Sequence, residues 1–218
     1  MAITTHILDQ HNSILNQYIA EIRDEKIQGD PLRFRQNMER IGGIMAYEIS
    51  KTLEYTNEEV VTPLGKKTTS LLYQQPVIAS ILRAGLTMHN GFLQTFDRAE
   101  NAFISAYRNP LSENDFEIKV EYLAAPDLND KTLIIADPML ATGRSMQMVF
   151  EAIQQNGTPS KIHIACAIAS PEGLMFLQNN LNSSCEIWIG SLDDELNTKS
   201  YIIPGLGDAG DLAFGLKL

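Results

Sequence analysis

From Pro76 onward, short apolar runs alternate with stretches of helical period. Residues 77–82, 102–107, 133–136, 162–169 and 187–189 are almost continuously apolar, as in strands buried on both faces of a parallel sheet. Residues 86–96, 145–156 and 171–181 lie between them and read as helices. In 145–156, Met146, Val149, Phe150 and Ile153 recur at i, i+3, i+4 and i+7, and Asn156-Gly157 ends the pattern. This alternation predicts an α/β fold, a mostly parallel twisted sheet with flanking helices. One segment has a different period. Phe116, Ile118, Val120 and Tyr122 alternate with Glu117, Lys119 and Glu121, which predicts a half-exposed antiparallel strand and, with 102–108, a projecting β-hairpin arm over about 102–122.

Before Pro76 the pattern predicts N-terminal helices at 13–23 and 31–51. Phe34, Met38, Ile41 and Met45 share one face of the second, and Asp30-Pro31 suits its start. Gly42-Gly43 weakens that helix, which points to close packing against a neighbour. Residues 59–73, with Pro63, Gly65 and two lysines, read as a loop with short strand pieces. The whole chain, 1–218, reads as one domain: a helical appendage with short strands at 1–75, a core sheet at 76–200 and a terminal loop at 201–218.

Composition narrows the function classes. With 44% hydrophobic and 20% charged residues the chain reads as an ordinary soluble globular domain. Its formal charge of −10 argues against nucleic acid as a partner, and means that an anionic substrate needs locally placed cations. Cys166 and Cys185 sit inside apolar runs, which favours buried free thiols and a reducing, cytoplasmic location. The first residues show no secretory leader, and no apolar run is long enough to span a membrane. His6, His11, His89 and His163 lack metal-ligand spacing, and His163, in an apolar strand, reads as a core residue. There is no Walker loop and no G-x-S-x-G elbow.

The chemistry concentrates in three segments. In the first, the apolar run 133–136 leads into Asp137, then a turn from Pro138 through Met139, Leu140, Ala141 and Thr142 to Gly143, then Arg144 and Ser145, with Ser145 able to cap the next helix. Main-chain N–H groups opening a helix, with the Thr142 and Ser145 hydroxyls, suit a phosphate, whereas Asp137 suits the hydroxyls of a diol. Together they describe a sugar phosphate; an ordinary strand–turn–helix crossover is the alternative. In the second, Arg83-Ala84-Gly85 repeats this strand-end placement and offers a bidentate fork to phosphate oxygens, as does Arg108 at the end of another strand. Either arginine could equally be a surface ion pair. The third, Tyr201 to Asp211, is rich in glycine. Gly205, Gly207 and Gly210 have dinucleotide-fingerprint spacing, but only eight residues follow Gly210, too few for the rest of that motif. The open readings are a structural loop whose glycines supply unusual backbone angles, or a loop whose main chain reads a heterocycle edge while Ile202 packs on its face and Asp208 orients ribose or metal-bound water.

The segments Ile81-Leu-Arg-Ala-Gly-Leu86, Asp137-Pro-Met-Leu-Ala-Thr-Gly-Arg-Ser145 and Tyr201-Ile-Ile-Pro-Gly-Leu-Gly-Asp-Ala-Gly-Asp211 resemble the uracil phosphoribosyltransferases of the type I phosphoribosyltransferase fold. The third is the most specific of them. The resemblance covers most of 30–218 and implies the reaction of uracil with 5-phosphoribosyl 1-diphosphate to UMP and diphosphate. It implies that Asp137 to Ser145 hold the ribose 5-phosphate, that Arg83 and Arg108 face the diphosphate, and that Ile202, Gly207, Asp208 and Ala209 hold uracil. Asp208 would also lie near the donor, and Asp137, Asp208 and Arg108 would carry the catalysis. It further implies Mg2+ carried by the diphosphate and water with no direct protein ligand, a homo-oligomer (dimer or tetramer), and leaves open a GTP effector. Arg144 departs from the commonest family pattern, a second glycine. A uracil- or UMP-sensing regulator of pyrimidine genes is the alternative, which only Arg144 favours; transfer to a purine is disfavoured by the third segment.

Overall fold

A computed structural model describes residues 3–110, 116–181 and 185–217. In chain order its elements are β1 (Thr4–Ile7), α1 (Ile14–Arg23), α2 (Pro31–Ser50), β2 (Tyr55–Thr62), β3 (Gly65–Leu72), β4 (Val77–Leu82), α3 (Leu86–Thr95), β5 (Glu100–Pro110), β6 (Phe116–Ala124), β7 (Thr132–Ala136), β8 (Met139–Leu140), α4 (Arg144–Ile153), β9 (Lys161–Ala169), α5 (Pro171–Asn180), β10 (Cys185–Leu192), β11 (Glu195–Leu196), β12 (Ile202–Ile203) and α6 (Ala209–Phe214).

The main sheet has the order β1-β10-β9-β7-β4-β5-β6, with β8 also on β9. Every pairing is parallel except β5 with β6. The apolar runs become its central strands because both faces are covered. Ile78, Ile134 and Ala165 face one core with Phe34, Met38, Ile41, Met45 and Phe92 of α2 and α3. Their neighbours Val77, Ile135 and Ile164 face the other, with Val149 and Phe150 of α4 and Leu177 of α5. From β4 the chain runs outward to β5, and from β7 it runs the opposite way to β9 and β10, so a topological switch point lies between β4 and β7.

Gly42-Gly43 has the packing role expected of it. A Cβ on Gly42 would stand 2.5 Å from the Met88 carbonyl oxygen, and one on Gly91 would stand 2.0 Å from that of Glu39. Side-chain-free surfaces on both α2 and α3 therefore let their backbones touch. Asp30 caps α2, accepting from Leu32 and Arg33 N–H at 2.9 and 3.2 Å.

Two N-terminal expectations need correction. The short strand pieces expected in 59–73 are longer than that: β2 and β3 form a continuous antiparallel ribbon from Tyr55↔Leu72 to Thr62↔Gly65. Apart from Leu72, which packs against the core, the ribbon is mostly exposed among the described residues, so its sequence lacks the alternation that marks a half-buried strand. The region read as a helical appendage also begins with an unforeseen strand, β1, which pairs with β10 at the sheet edge. Four partly exposed residues are too few to show a period. The expected hairpin is β5–β6, and its base belongs to the sheet, since β5 pairs with β4 from Glu100 to Ser105.

Candidate active site

The central strands β4 and β7 lie side by side, with Ser80 opposite Ala136. Arg83 and Asp137, each just beyond its strand, thus open onto the same crevice. Gly85 makes this approach feasible: a Cβ there would be 2.6 Å from Ile81 O and 2.8 Å from Ala136 O.

The turn after Asp137 is fastened to its neighbours by main-chain bonds. Asp137 N–H donates to Ala165 O at 3.1 Å, Ile168 N–H to Pro138 O at 3.0 Å and Ser170 N–H to Leu140 O at 2.9 Å. The Ser170 hydroxyl donates to Ala141 O at 2.6 Å. Gly143 closes the turn at φ +77°, and a Cβ there would meet Phe176 Cδ1 at 2.8 Å, so both conformation and space require glycine. Gly143, not Ser145, is the N-cap of α4; Ser145 lies inside the first turn because the helix starts at Arg144. Side chains cap α1, α2, α5 and α6. The starts of α3 and α4 have none, and both open at the crevice. Their first N–H groups and positive dipole ends suit an anion.

The glycine-rich segment forms the opposite wall. Gly205 and Gly207 take φ +63° and +92°, a backbone region that side chains rarely adopt. A buried bracket holds this turn in place. Arg23, from the end of α1, forms a two-point ion pair with Asp193, donates to Gly205 O at 3.0 Å and to Ser191 Oγ at 3.1 Å, and Asp193 accepts from Gly205 N–H at 2.9 Å. Asp208 caps α6 by accepting from Asp211 N–H at 2.9 Å. From α2, Arg35 donates to Ala213 O at 2.7 Å.

Between these walls lies a cleft of about 190 Å³ bounded by Ala84, Asp137, the turn from Met139 to Gly143, Ser145, Met146 and Asp208 to Gly210. A second hollow of about 190 Å³ adjoins it, sharing Asp137, Ser145 and Asp208 and adding Arg83 and Lys217. Burial pushes the Asp137 carboxyl up from 3.8 to about 7, partly offset by a hydrogen bond from Met139 N–H. Burial, and then the nearby Asp137 charge, raise the Cys166 thiol well above its ordinary value.

Among the expected site residues, Asp137, Met139, Leu140, Ala141, Thr142, Gly143, Ser145, Asp208 and Ala209 line the cleft, and Arg83 lines the adjoining hollow. Pro138 is buried beneath the turn and Arg144 is exposed, and neither lines a hollow. The Ile202 side chain cannot serve as a stacking face. In β12 it points into the core, 3% exposed, while Ile203 points out, so only its main chain remains for a ligand. Gly207 is exposed, with open space where a Cβ would be. The Arg108 side chain lies outside the described residues. The sequence reading missed the Arg23–Asp193 bracket, Asp211 and Lys217, and no local pattern links those positions.

His163 and the cysteines stand in the core as expected. His163 Nδ1 accepts from Trp188 Nε1 at 3.0 Å while its Nε2 has no partner, and burial lowers its pKa to about 4. Both cysteines are buried thiols.

The chain brings a switch-point crevice, a helix start without a side-chain cap and the Asp137 carboxyl together at one cleft. Its fold is shared with a hypoxanthine-guanine phosphoribosyltransferase from Bacillus anthracis, at TM-score 0.51 and 11% identity over 75% of this chain and 82% of that one. The profile of the family described as uracil phosphoribosyltransferase matches residues 9–216. A uracil phosphoribosyltransferase from Porphyromonas gingivalis is 49% identical over 97% of this chain and 98% of its own length. One from Methanothermobacter thermautotrophicus is 39% identical over 94% and 93%. The structure of the AQ2163 protein from Aquifex aeolicus superimposes with TM-score 0.88 at 31% identity, covering 99% and 100% of the two chains. The chain belongs to the uracil phosphoribosyltransferase family.

Proposed function

We infer that the protein transfers a phosphoribosyl group from 5-phosphoribosyl 1-diphosphate to uracil, releasing UMP, diphosphate and the proton of the uracil nitrogen. One observation supports this most: the turn after Asp137 and the glycine-rich segment, distant in the chain, face each other across one cleft. The 5-phosphate belongs on the turn from Pro138 to Ser145, at the uncapped start of α4. Asp137 accepts from the ribose diol, and Arg83, with Arg108, faces the diphosphate. Gly207, Asp208, Ala209 and the Ile202 main chain receive uracil. Main-chain groups can reject cytosine, because an amino group in place of a carbonyl leaves a buried partner mismatched.

No covalent nucleophile is called for. As C1 parts from diphosphate, positive charge grows on the ribose and negative charge on the leaving group, so catalysis is placement and electrostatics. The two cleft carboxylates, Asp137 and Asp208, make a donor set that fits hydrated Mg2+ brought in by the substrate. Bound there, the ion would offset the leaving group's charge. No three metal-ligating side chains cluster among the described residues.

The sensor alternative rested on Arg144, which stands exposed outside the cleft, and the family match favours the enzyme. We further place the enzyme in the cytoplasm and expect a homo-oligomer; no described helix is long and apolar enough to cross a membrane. GTP is a candidate effector to be added to the assay. The deciding experiment incubates the protein with uracil, phosphoribosyl diphosphate and Mg2+, with cytosine and hypoxanthine as controls. UMP should form from uracil alone, and Asp137→Asn and Asp208→Asn should each slow it on the order of a hundredfold while remaining folded. No UMP would return the protein to the sensor class. Near-normal turnover in both variants would overturn the roles of the two acids.

A further inference from the structure

The chain carries a net charge of −10, yet its proposed donor bears two anionic ends. Among the described residues, the cations lining the two hollows are Arg83 and Lys217. Lys217 belongs to the segment after α6. A single carboxylate oxygen ties that segment to the strand end: Asp211 Oδ1 accepts from Arg83 Nη2 at 2.9 Å and from Lys217 N–H at 3.3 Å. Arg83 also donates to Gly215 O at 3.3 Å from both Nη1 and Nη2. The Asp211 main chain is fixed in turn by Asp208, which lines both hollows.

We propose that Lys217 is a second diphosphate-binding cation, and that Asp211 is the positioning residue that sets both Lys217 and Arg83 at the mouth of the cleft. This rests on the phosphoribosyltransferase reading and adds two residues to it. A guanidinium has five N–H donors, so the bonds to Asp211 and Gly215 leave donors for an anion. Lys217 supplies a mobile point charge beside that fork. The connections join the two ends: Asp208 caps α6 and fixes the Asp211 main chain, and the Asp211 carboxylate accepts from Arg83 and from the Lys217 N–H. Assembly of the uracil-binding wall therefore also builds the diphosphate end.

The test uses the full chain. Lys217→Met should raise KM for phosphoribosyl diphosphate, and weaken binding of magnesium diphosphate measured by calorimetry, each by about tenfold, the loss of one charge-assisted hydrogen bond. The uracil KM should stay within about twofold, and Lys217→Arg should recover most of the loss. Asp211→Ala should affect the donor KM more than Lys217→Met, because both cations lose their anchor, and Asp211→Asn, which keeps the acceptor, should lie between. Donor KM should also rise less steeply with salt in Lys217→Met than in the parent protein. A parent-like diphosphate affinity in Lys217→Met would overturn the inference even if the parent protein makes UMP. If the parent makes none, the reading of function fails separately, and the diphosphate titration still decides the role of Lys217.

Discussion

Asp137 sits where burial and chemistry oppose each other. Burial pushes its carboxyl up to about 7, from an ordinary value of 3.8. Between those values the folded protein retains a proton that the unfolded chain has released. Stability therefore falls as pH rises from about 4 to about 7 and levels above it. Asp137→Asn should remove that loss, so its melting temperature at pH 8 should exceed the parent's although its turnover collapses. A parent-like pH profile of melting in the variant would contradict this. Ribose hydroxyls donating to Asp137 favour the charged form, so substrate binding near pH 6 should release protons. The strand-end acid was legible in the sequence; its pKa was not, because desolvation comes from the elements packed around it.

At the scale of elements, the central strands and their helices were legible because both faces of β4, β7 and β9 are buried and their apolar runs are nearly unbroken. The β2–β3 ribbon and β1 were not, because neither has a buried face to impose a period. Equally hidden was the support of the glycine-rich turn by α1. The Asp193 side chain is 2% exposed and that of Arg23 19%, so removing one partner strands a buried charge. Arg23→Ala should cost about 3–5 kcal/mol of stability. It should also raise the uracil KM, because the Gly205 carbonyl loses its donor. Urea melts and steady-state kinetics would check both, and an unchanged unfolding midpoint would remove the bracket from the account.

At the scale of the whole molecule, the β2–β3 ribbon stands apart from the main sheet. It exposes Val61 by 73% and Leu64 by 100%, with Tyr55, Val60 and Leu71 also open. A two-stranded ribbon alone is marginal in water. For the homo-oligomer proposed above, we expect a second copy of the chain against this ribbon, symmetric pairing being the commonest assembly. The pair of changes Val61→Asp and Leu64→Asp should therefore shift sedimentation toward the monomer while the core keeps its melting transition. A parent-like sedimentation coefficient would place the interface elsewhere.

The sequence by itself determined what is local: the order of the central strands and their helices, the acid and the arginine after two central strands, the turn from Pro138 to Gly143, and the family through three short segments. Those depend on periodicity, backbone conformation and chemical type, which neighbouring residues carry. The tertiary structure alone decided that the two segments at 137–145 and 201–211 face one cleft, that Ile202 points inward, that Arg144 points out, that Arg23 bonds to the Gly205 carbonyl, and that Asp211 links Arg83 to the Lys217 N–H beside the hollow. The physical reason is that these contacts join residues far apart in the chain. The parallel order of the sheet brings them together, and no period or spacing encodes that order.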